Sequence, residues 1–146
     1  MIGWSFFILN AAGAIWPIFV LEPISRKLGR VKTHFIAVLI MSLGYFGIVF
    51  FARDQFSLYA LMVVLSFGWA AVVSLPFAIM SEKVNRARMG FFMGIFNLSV
   101  VLPQLVASFA IGLVIYATGE KSVFIISGIS LAVSAMLWLF VTEGKK

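Results

Sequence analysis

Residues 88–114 read RMGFFMGIFNLSVVLPQLVASFAIGLV: one arginine, then an uncharged run that nevertheless carries Asn97, Pro103 and Gln104. About 20 mostly apolar residues suffice for a helix to cross the hydrocarbon layer of a bilayer, and this run is longer. An amide that faces lipid leaves donors and acceptors unpaired, at a cost of kilocalories. The stretch therefore predicts a membrane-spanning helix with one face turned toward protein or water. Gly90, Gly94, Asn97, Val101, Gln104 and Ser108 step by four, three, four, three and four, which lays them along one stripe of that helix. Asn97 and Gln104 stand two turns apart on the stripe, about 10 Å along the axis. Pro103 removes a backbone donor beside Gln104 and loosens the ladder there, which is tolerated at membrane depth where the helix meets protein or a wet cavity. Two readings fit: a polar, kinked wall of a solute path, or a glycine-rich packing seam whose amides bond a neighbouring helix.

The rest of the chain extends the same pattern. Of 146 residues, 63% are apolar and 11% charged, with a mean hydropathy of +1.13. Soluble domains run nearer half apolar and a quarter charged, and a core of this size cannot hide the excess. Lipid is the expected solvent for most of the chain. Five windows are long and apolar enough to span, at about 4–21, 34–52, 56–80, 89–116 and 122–142. They form a single transmembrane domain over 1–146, and the long fourth window is expected to tilt or curve. The connections EPISRKLGRVKT, ARDQ, SEKVNRAR and ATGEKS are short and carry charges or turn formers.

The net charge of +6 would suggest nucleic acid in a soluble chain, but here it reads as topology, with no nucleic-acid partner. Arg26, Lys27, Arg30, Lys32, Lys83, Arg86, Arg88, Lys145 and Lys146 fall on one side of a five-span bundle, Arg53 and Lys121 on the other. This bias predicts a multi-pass protein of the cell (inner) membrane, with a cytoplasmic C-terminus and the N-terminus outside. Met1 is followed by IGWSFF with no basic segment before the apolar run, which argues against a cleaved signal peptide. An odd-numbered bundle that starts outside reads as the back part of something longer.

All five acids and eleven bases sit in connections or at span ends, so no ionised group is expected at the bilayer centre, where it would cost about 3 kcal/mol or more. The polar groups inside the spans are neutral and unevenly shared. The first span has Asn10 and Pro17; the third has Ser66, Trp69, Ser74 and Pro76; the fourth has Asn97, Ser99, Pro103, Gln104 and Ser108. The second and fifth have neither proline nor amide. The first, third and fourth spans are thus expected to line protein or water, and the second and fifth to lie outside against lipid. Gly44, Gly47, Ser127, Gly128, Ser130 and Ser134 would allow close helix contact there. Asn10, Trp69, Asn97 and Gln104 are the candidate solute-path residues, and Pro17, Pro76 and Pro103 the expected kinks. For a lone membrane tryptophan, anchoring or packing is the default; Trp69, beside Gly68, Ala70 and Ala71, has the best case for a ligand, with Trp16 a second aromatic placed to stack on a sugar ring. His34, at a span mouth among basic residues, is expected to be solvated.

At SLPFAIMSEKVNRARMGFFMGIFNLSVVLPQLV, residues 74–106, the sequence resembles the tenth-to-eleventh helix region of the major facilitator superfamily, and within it the sucrose transporters and the glycoside and disaccharide–proton symporters. The shared pattern is Pro76 and Phe77 closing one helix, a short basic loop, then Met93, Gly94, Asn97, Leu98, Pro103 and Gln104. ISRKLGRVK, residues 24–32, is similar to the superfamily's basic loop between the eighth and ninth helices, through Lys27, Gly29 and Arg30. Arg26 stands where that pattern has an aspartate, and Glu22 is the acid near enough to replace it in a gating salt bridge. The resemblance covers nearly the whole chain. It implies an all-α membrane protein whose five transmembrane helices match the eighth to twelfth of the fold, with the eighth, tenth and eleventh lining the path. It also implies a sugar substrate, a coupling proton and a partner in the N-terminal half of the carrier. A site at the interface of two repeats needs both, so these spans alone are not expected to transport.

No paired carboxylates, Gly-rich phosphate loop, histidine cluster or nucleophile–base constellation lies in the spans, so an enzyme, a metal site and a cofactor are not expected. With no cysteine there is no disulfide or thiolate site. A drug–proton antiporter of the same superfamily and a non-transporting membrane interaction subunit are the alternatives. Two amides on one stripe match the paired donors and acceptors of a hydroxylated solute, which favours the sugar.

Overall fold

Glycines and caps decide where this chain breaks, because nearly every residue between them is compatible with a helix. The computed structural model describes residues 2–142, so Lys145 and Lys146, two of the bases in the charge balance, lie outside the described residues. Among the described residues all regular structure is helical: α1 (Ile2–Trp16), a π-helical turn (Pro17–Leu21), α2 (Glu22–Leu28), α3 (Arg30–Phe51), α4 (Gln55–Lys83), a 3-10 turn (Arg86–Arg88), α5 (Met89–Thr118) and α6 (Lys121–Trp138). Five helical rods are long and apolar enough to cross a membrane: Gly3–Leu28, Arg30–Phe51, Gln55–Lys83, Arg86–Thr118 and Lys121–Trp138.

The first connection is shorter than the charge pattern suggests. Helix continues to Leu28, and only Gly29, at φ 88° and ψ 156°, leaves it. Pro23 falls in the first turn of α2, where a missing N–H is cheap, and Arg26 Nε donates to Glu22 Oε1 at 3.0 Å one turn away. Gly29 then reverses the chain in a conformation few other residues accept. Its carbonyl receives the Thr33 backbone N–H at 3.1 Å and the Thr33 hydroxyl at 2.7 Å, which starts α3.

The π turn at Pro17–Leu21 sets the register of α2. On α1 the packed side carries Ser5, Gly13 and Trp16, while Asn10 is exposed. In an uninterrupted helix Leu21 would project within about 20° of Asn10. One extra residue in the turn sets the register back by about 100°. Leu21 accordingly returns to the packed side, where it is 1% exposed and joins Ala37, Ala70, Ala71 and Leu75 in the core. Of the three prolines expected to kink their helices, Pro17 opens this turn, and Pro76 and Pro103 lie inside α4 and α5.

The second span is not an outer helix. α3 packs along both α4 and α6 and is the most buried of the five rods, while α1 packs on α4. The reason lies in its small residues. A Cβ added at Gly44 would come within 2.9 Å of the Leu65 side chain, and one at Gly47 within 2.8 Å of Leu61. On α4, a Cβ at Gly68 would strike the Met41 side chain and lie 2.8 Å from the Ala37 carbonyl oxygen. Toward α6, Ser42 Oγ donates to the Gly128 carbonyl at 2.6 Å, and Gly128 leaves room for Phe46. Gly44, Gly47 and Gly128, expected to permit close helix contact, thus do so, but they bury α3 between two neighbours, and Ser127 and Ser130 border a cavity instead. α5 stands apart: none of its residues is buried, and its ties are to α6 and, through Phe77 against Phe96, to α4. The accessible surface is 10053 Å², against about 7,400 Å² for a soluble monomer of this mass. That excess is apolar helix surface suited to lipid and to other helices.

The turn before α4 carries a capping box. Asp54 Oδ1 accepts the Ser57 N–H at 2.7 Å, and Ser57 Oγ accepts the Asp54 N–H at 3.2 Å. The Ser57 backbone hydrogen bond, helped by the Ser57 hydroxyl and the Phe56 N–H, holds the Asp54 carboxyl below its ordinary value of 3.8. A folded-state value below the unfolded one means that the cap is fully stabilising above the unfolded value and weakens as pH falls through the folded one. Protection of the first-turn amides of α4, taken relative to the intrinsic exchange rate at each pH, is expected to fall on acidification in that window. Asp54→Asn, which keeps an oxygen acceptor, should abolish this acid dependence.

Candidate functional site

The polar side chains inside the helices are neutral, so what each can do depends on whether it is already hydrogen-bonded and which way it faces. Asn10 is exposed on α1, and its Nδ2 donates back to the Phe6 carbonyl at 2.8 Å. Asn97 and Gln104 are exposed on α5, and neither side-chain amide has a partner among the described residues. Ser108, on the same stripe, returns its hydroxyl to the Gln104 carbonyl at 2.8 Å. An added Cβ at Gly90 or Gly94 would meet nothing within 4 Å. The stripe is therefore open along its length and is not a seam within this chain.

Trp69 is 40% exposed on α4. Its indole lies against α1 at Gly13, where an added Cβ would be 3.6 Å from Trp69 Cδ1. It also reaches a cavity of about 450 Å³ framed by α3, α4, α5 and α6. The cavity takes Ala107, Ala110, Ile111 and Val114 from α5. The face they form is turned about 100° around the helix from the Asn97–Gln104 stripe. The structure therefore does not gather the four path candidates at one point: Trp69 borders the cavity, the α5 amides look elsewhere, and Asn10 sits on another helix. Trp16 is a packing residue, its Nε1 donating to Ser66 Oγ at 2.7 Å and its ring meeting Phe67 edge-on.

At the basic end the first connection is tied to α4. Arg30, at the start of α3, forms an ion pair with Glu82 near the end of α4, and Lys83 donates to the Thr142 carbonyl beyond α6. Glu22, expected to supply the acid of a gating bridge, is occupied by Arg26 one turn along its own helix, and Arg30 is served by Glu82 instead. Lys27 is exposed with no ion-pair partner among the described residues, and Gly29 acts through its backbone. Sequence separation hides a pair such as Arg30–Glu82. A signal was present all the same, since the first and third connections fall on one side of the bundle and Glu82 is the acid of the third.

His34 also departs from expectation. It is 2% exposed, its ring centroid is 4.2 Å from that of Trp138, and Nδ1 has no partner. The Gly29 reversal starts α3 so early that position 34 is already a turn inside the helix layer, between α4 and α6.

Among the described residues the structure is a stack of membrane-length helices with a basic connection ion-paired across it. The sequence model of the Major Facilitator Superfamily matches residues 1–146, and the chain belongs to that superfamily of secondary transporters. No curated protein and no solved structure matches it.

Proposed function

We propose that this chain contributes one wall of the path in a carrier that moves a disaccharide or glycoside together with a cation, most simply a proton. The observation that carries the reading is the exposed stripe of α5, on which two unpaired amides and a hydroxyl-bearing serine lie among glycines. An amide offers a hydrogen-bond donor and acceptor side by side, which matches the paired donor and acceptor of a sugar hydroxyl. Such groups face acyl chains only at a cost, so the stripe is suited to opposing helices supplied from outside these 146 residues, with solute between them. Asn10 on α1 and Trp69 on α4, the other path candidates, stand apart from this stripe, so the wall rests on α5. The basic end, with the Arg30–Glu82 pair, is assigned to the cytoplasmic side, and the N-terminus to the outside.

The test is uptake of radiolabelled sucrose and of an aryl glycoside by cells that express the chain with the first seven helices of a disaccharide symporter. Uptake above that of either part alone, and abolished by a protonophore, is the expected result. Uptake of a lipophilic cation without any sugar uptake would favour an exporter of drugs. Stable assembly without transport of either would favour an interaction subunit.

A further inference from the structure

The cavity between α3, α4, α5 and α6 is separate from the stripe and calls for its own occupant. Its volume, about 450 Å³, lies within the range of small-molecule sites, roughly 300–1,000 Å³. No acidic or basic side chain lines it. Its walls are mainly aliphatic, but Tyr45, Trp69, Ser127 and Ser130 each bring an O–H or N–H donor to the lining residues.

Two of these donors, the hydroxyls of Ser127 and Ser130, depart from the pattern of most serines and threonines in the helices. Most hydroxyls within the helices are returned to backbone carbonyls: Ser66 to Val63 at 2.6 Å, Ser74 to Ala70 at 2.7 Å, Ser99 to Phe96 at 2.7 Å and Thr118 to Val114 at 2.7 Å. The hydroxyls of Ser127, Ser130 and Tyr45, and the indole N–H of Trp69, have no hydrogen-bond partner among the described residues. A serine in an apolar helix that forgoes its own carbonyl leaves a donor unpaired, which costs free energy unless something else accepts the bond.

We propose that this cavity binds a neutral, largely apolar molecule that presents an oxygen acceptor, such as a ketone or ester carbonyl. The apolar walls take its body, and the hydroxyls of α6, with Tyr45 or Trp69, take its oxygen. The absence of charge in the lining disfavours an ionic ligand, whose desolvation nothing there would offset. Entry is from the bilayer, since α5 closes that side with few ties to its neighbours. The cavity uses a different flank of α5 from the amide stripe, so its ligand does not depend on the sugar reading. An ester-bearing acyl chain of a membrane lipid and a free lipophilic ketone share this chemistry.

The test uses benzophenone, a neutral aryl ketone that on irradiation adds across a nearby C–H bond. The carbonyl carbon bonds to carbon and the hydrogen moves to oxygen, so the adduct mass is the sum of the two molecules. The full chain in phosphatidylcholine liposomes is labelled over a range of benzophenone concentrations and mapped by peptide mass spectrometry. Saturable labelling concentrated in residues 107–114 and 123–131 is expected. Ala110→Trp, which fills the cavity, should lower it at least fivefold and leave labelling of α1 unchanged. Ser127→Ala with Ser130→Ala should raise the half-saturating concentration severalfold; this pair also serves if Ala110→Trp fails to retain the wild-type helix content and elution profile. A second arm uses phosphatidylcholine with a diazirine in one acyl chain. Competition between the two probes at the same peptides identifies a lipid chain as the resident, and saturable benzophenone labelling without competition identifies a free molecule. Labelling that rises linearly, spreads over the exposed faces and ignores both variants would overturn the proposal.

Discussion

Gly68→Leu is expected to lower the stability of the purified chain by about 3 kcal/mol or more, the upper part of the range for overpacking a close contact. At position 68 even a single added carbon would strike the Met41 side chain and press on the Ala37 carbonyl oxygen at 2.8 Å. Met41 can change rotamer, but the carbonyl belongs to the α3 backbone and moves only if the helix does. Ala37 is fully buried, and α3 is held on its other side by α6, so separation of α3 from α4 would open the core at Leu21, Ala70 and Ala71. Folded proteins have only about 5–15 kcal/mol in hand. The measurement is SDS-titrated unfolding followed by circular dichroism. Gly94→Leu is the control: its Cβ would meet nothing within 4 Å, so the transition should stay within about 0.5 kcal/mol of wild type or move toward greater stability.

The second large effect concerns function and has the opposite sign in the two assays. If the chain walls a sugar path as proposed, Asn97→Leu and Gln104→Leu should each slow sugar uptake by the assembled carrier about twofold to tenfold, corresponding to the loss of one neutral hydrogen bond of about 0.5–1.5 kcal/mol. The double variant should fall further. In the isolated chain the same changes should be neutral or stabilising by about 1 kcal/mol, because they remove unpaired amides from an apolar surface. If uptake is unchanged while assembly with the complementary helices collapses, the stripe is an assembly seam and not a solute wall.

The fold class was legible because membrane insertion imposes a length and an apolarity that composition exposes directly. The four connections were legible for a related reason, since charges and turn formers gather there, but the exact break at Gly29 was not: helix runs on to Leu28, past the expected end of the first span at about 21. The order of helices from centre to edge was not. In a soluble protein the buried face is the apolar face, but here lipid-facing and core-facing residues are alike, and polarity identifies only the helices that cannot face lipid. α3 carries no amide, so polarity assigns it to the outside, yet Gly44, Gly47 and Ser42 place it in the middle. Small residues mark positions of close packing; they do not disclose that one helix serves two neighbours. The burial of His34 and the Arg30–Glu82 pair depend on where Gly29 and α4 bring distant residues, a tertiary matter. For the candidate site, the α5 stripe was legible from spacing alone, whereas the cavity was not, because its walls come from four helices and most of them look like ordinary lipid-facing surface.

The wide turn at Pro17–Leu21 holds one residue more than the phase of the rod requires. Exchanging Ile18 or Phe19, both exposed, for other apolar residues leaves the screw sense of the rod intact. Deleting either would convert the wide turn into ordinary α-helix and leave everything downstream in phase, because the extra residue is the one the turn absorbs; Leu21 would stay in the core and the Glu22–Arg26 ridge would keep its facing. In this rod a one-residue loss is absorbed where the turn stands, whereas the same loss in α1 or α2 would rotate one end against the other by about 100°.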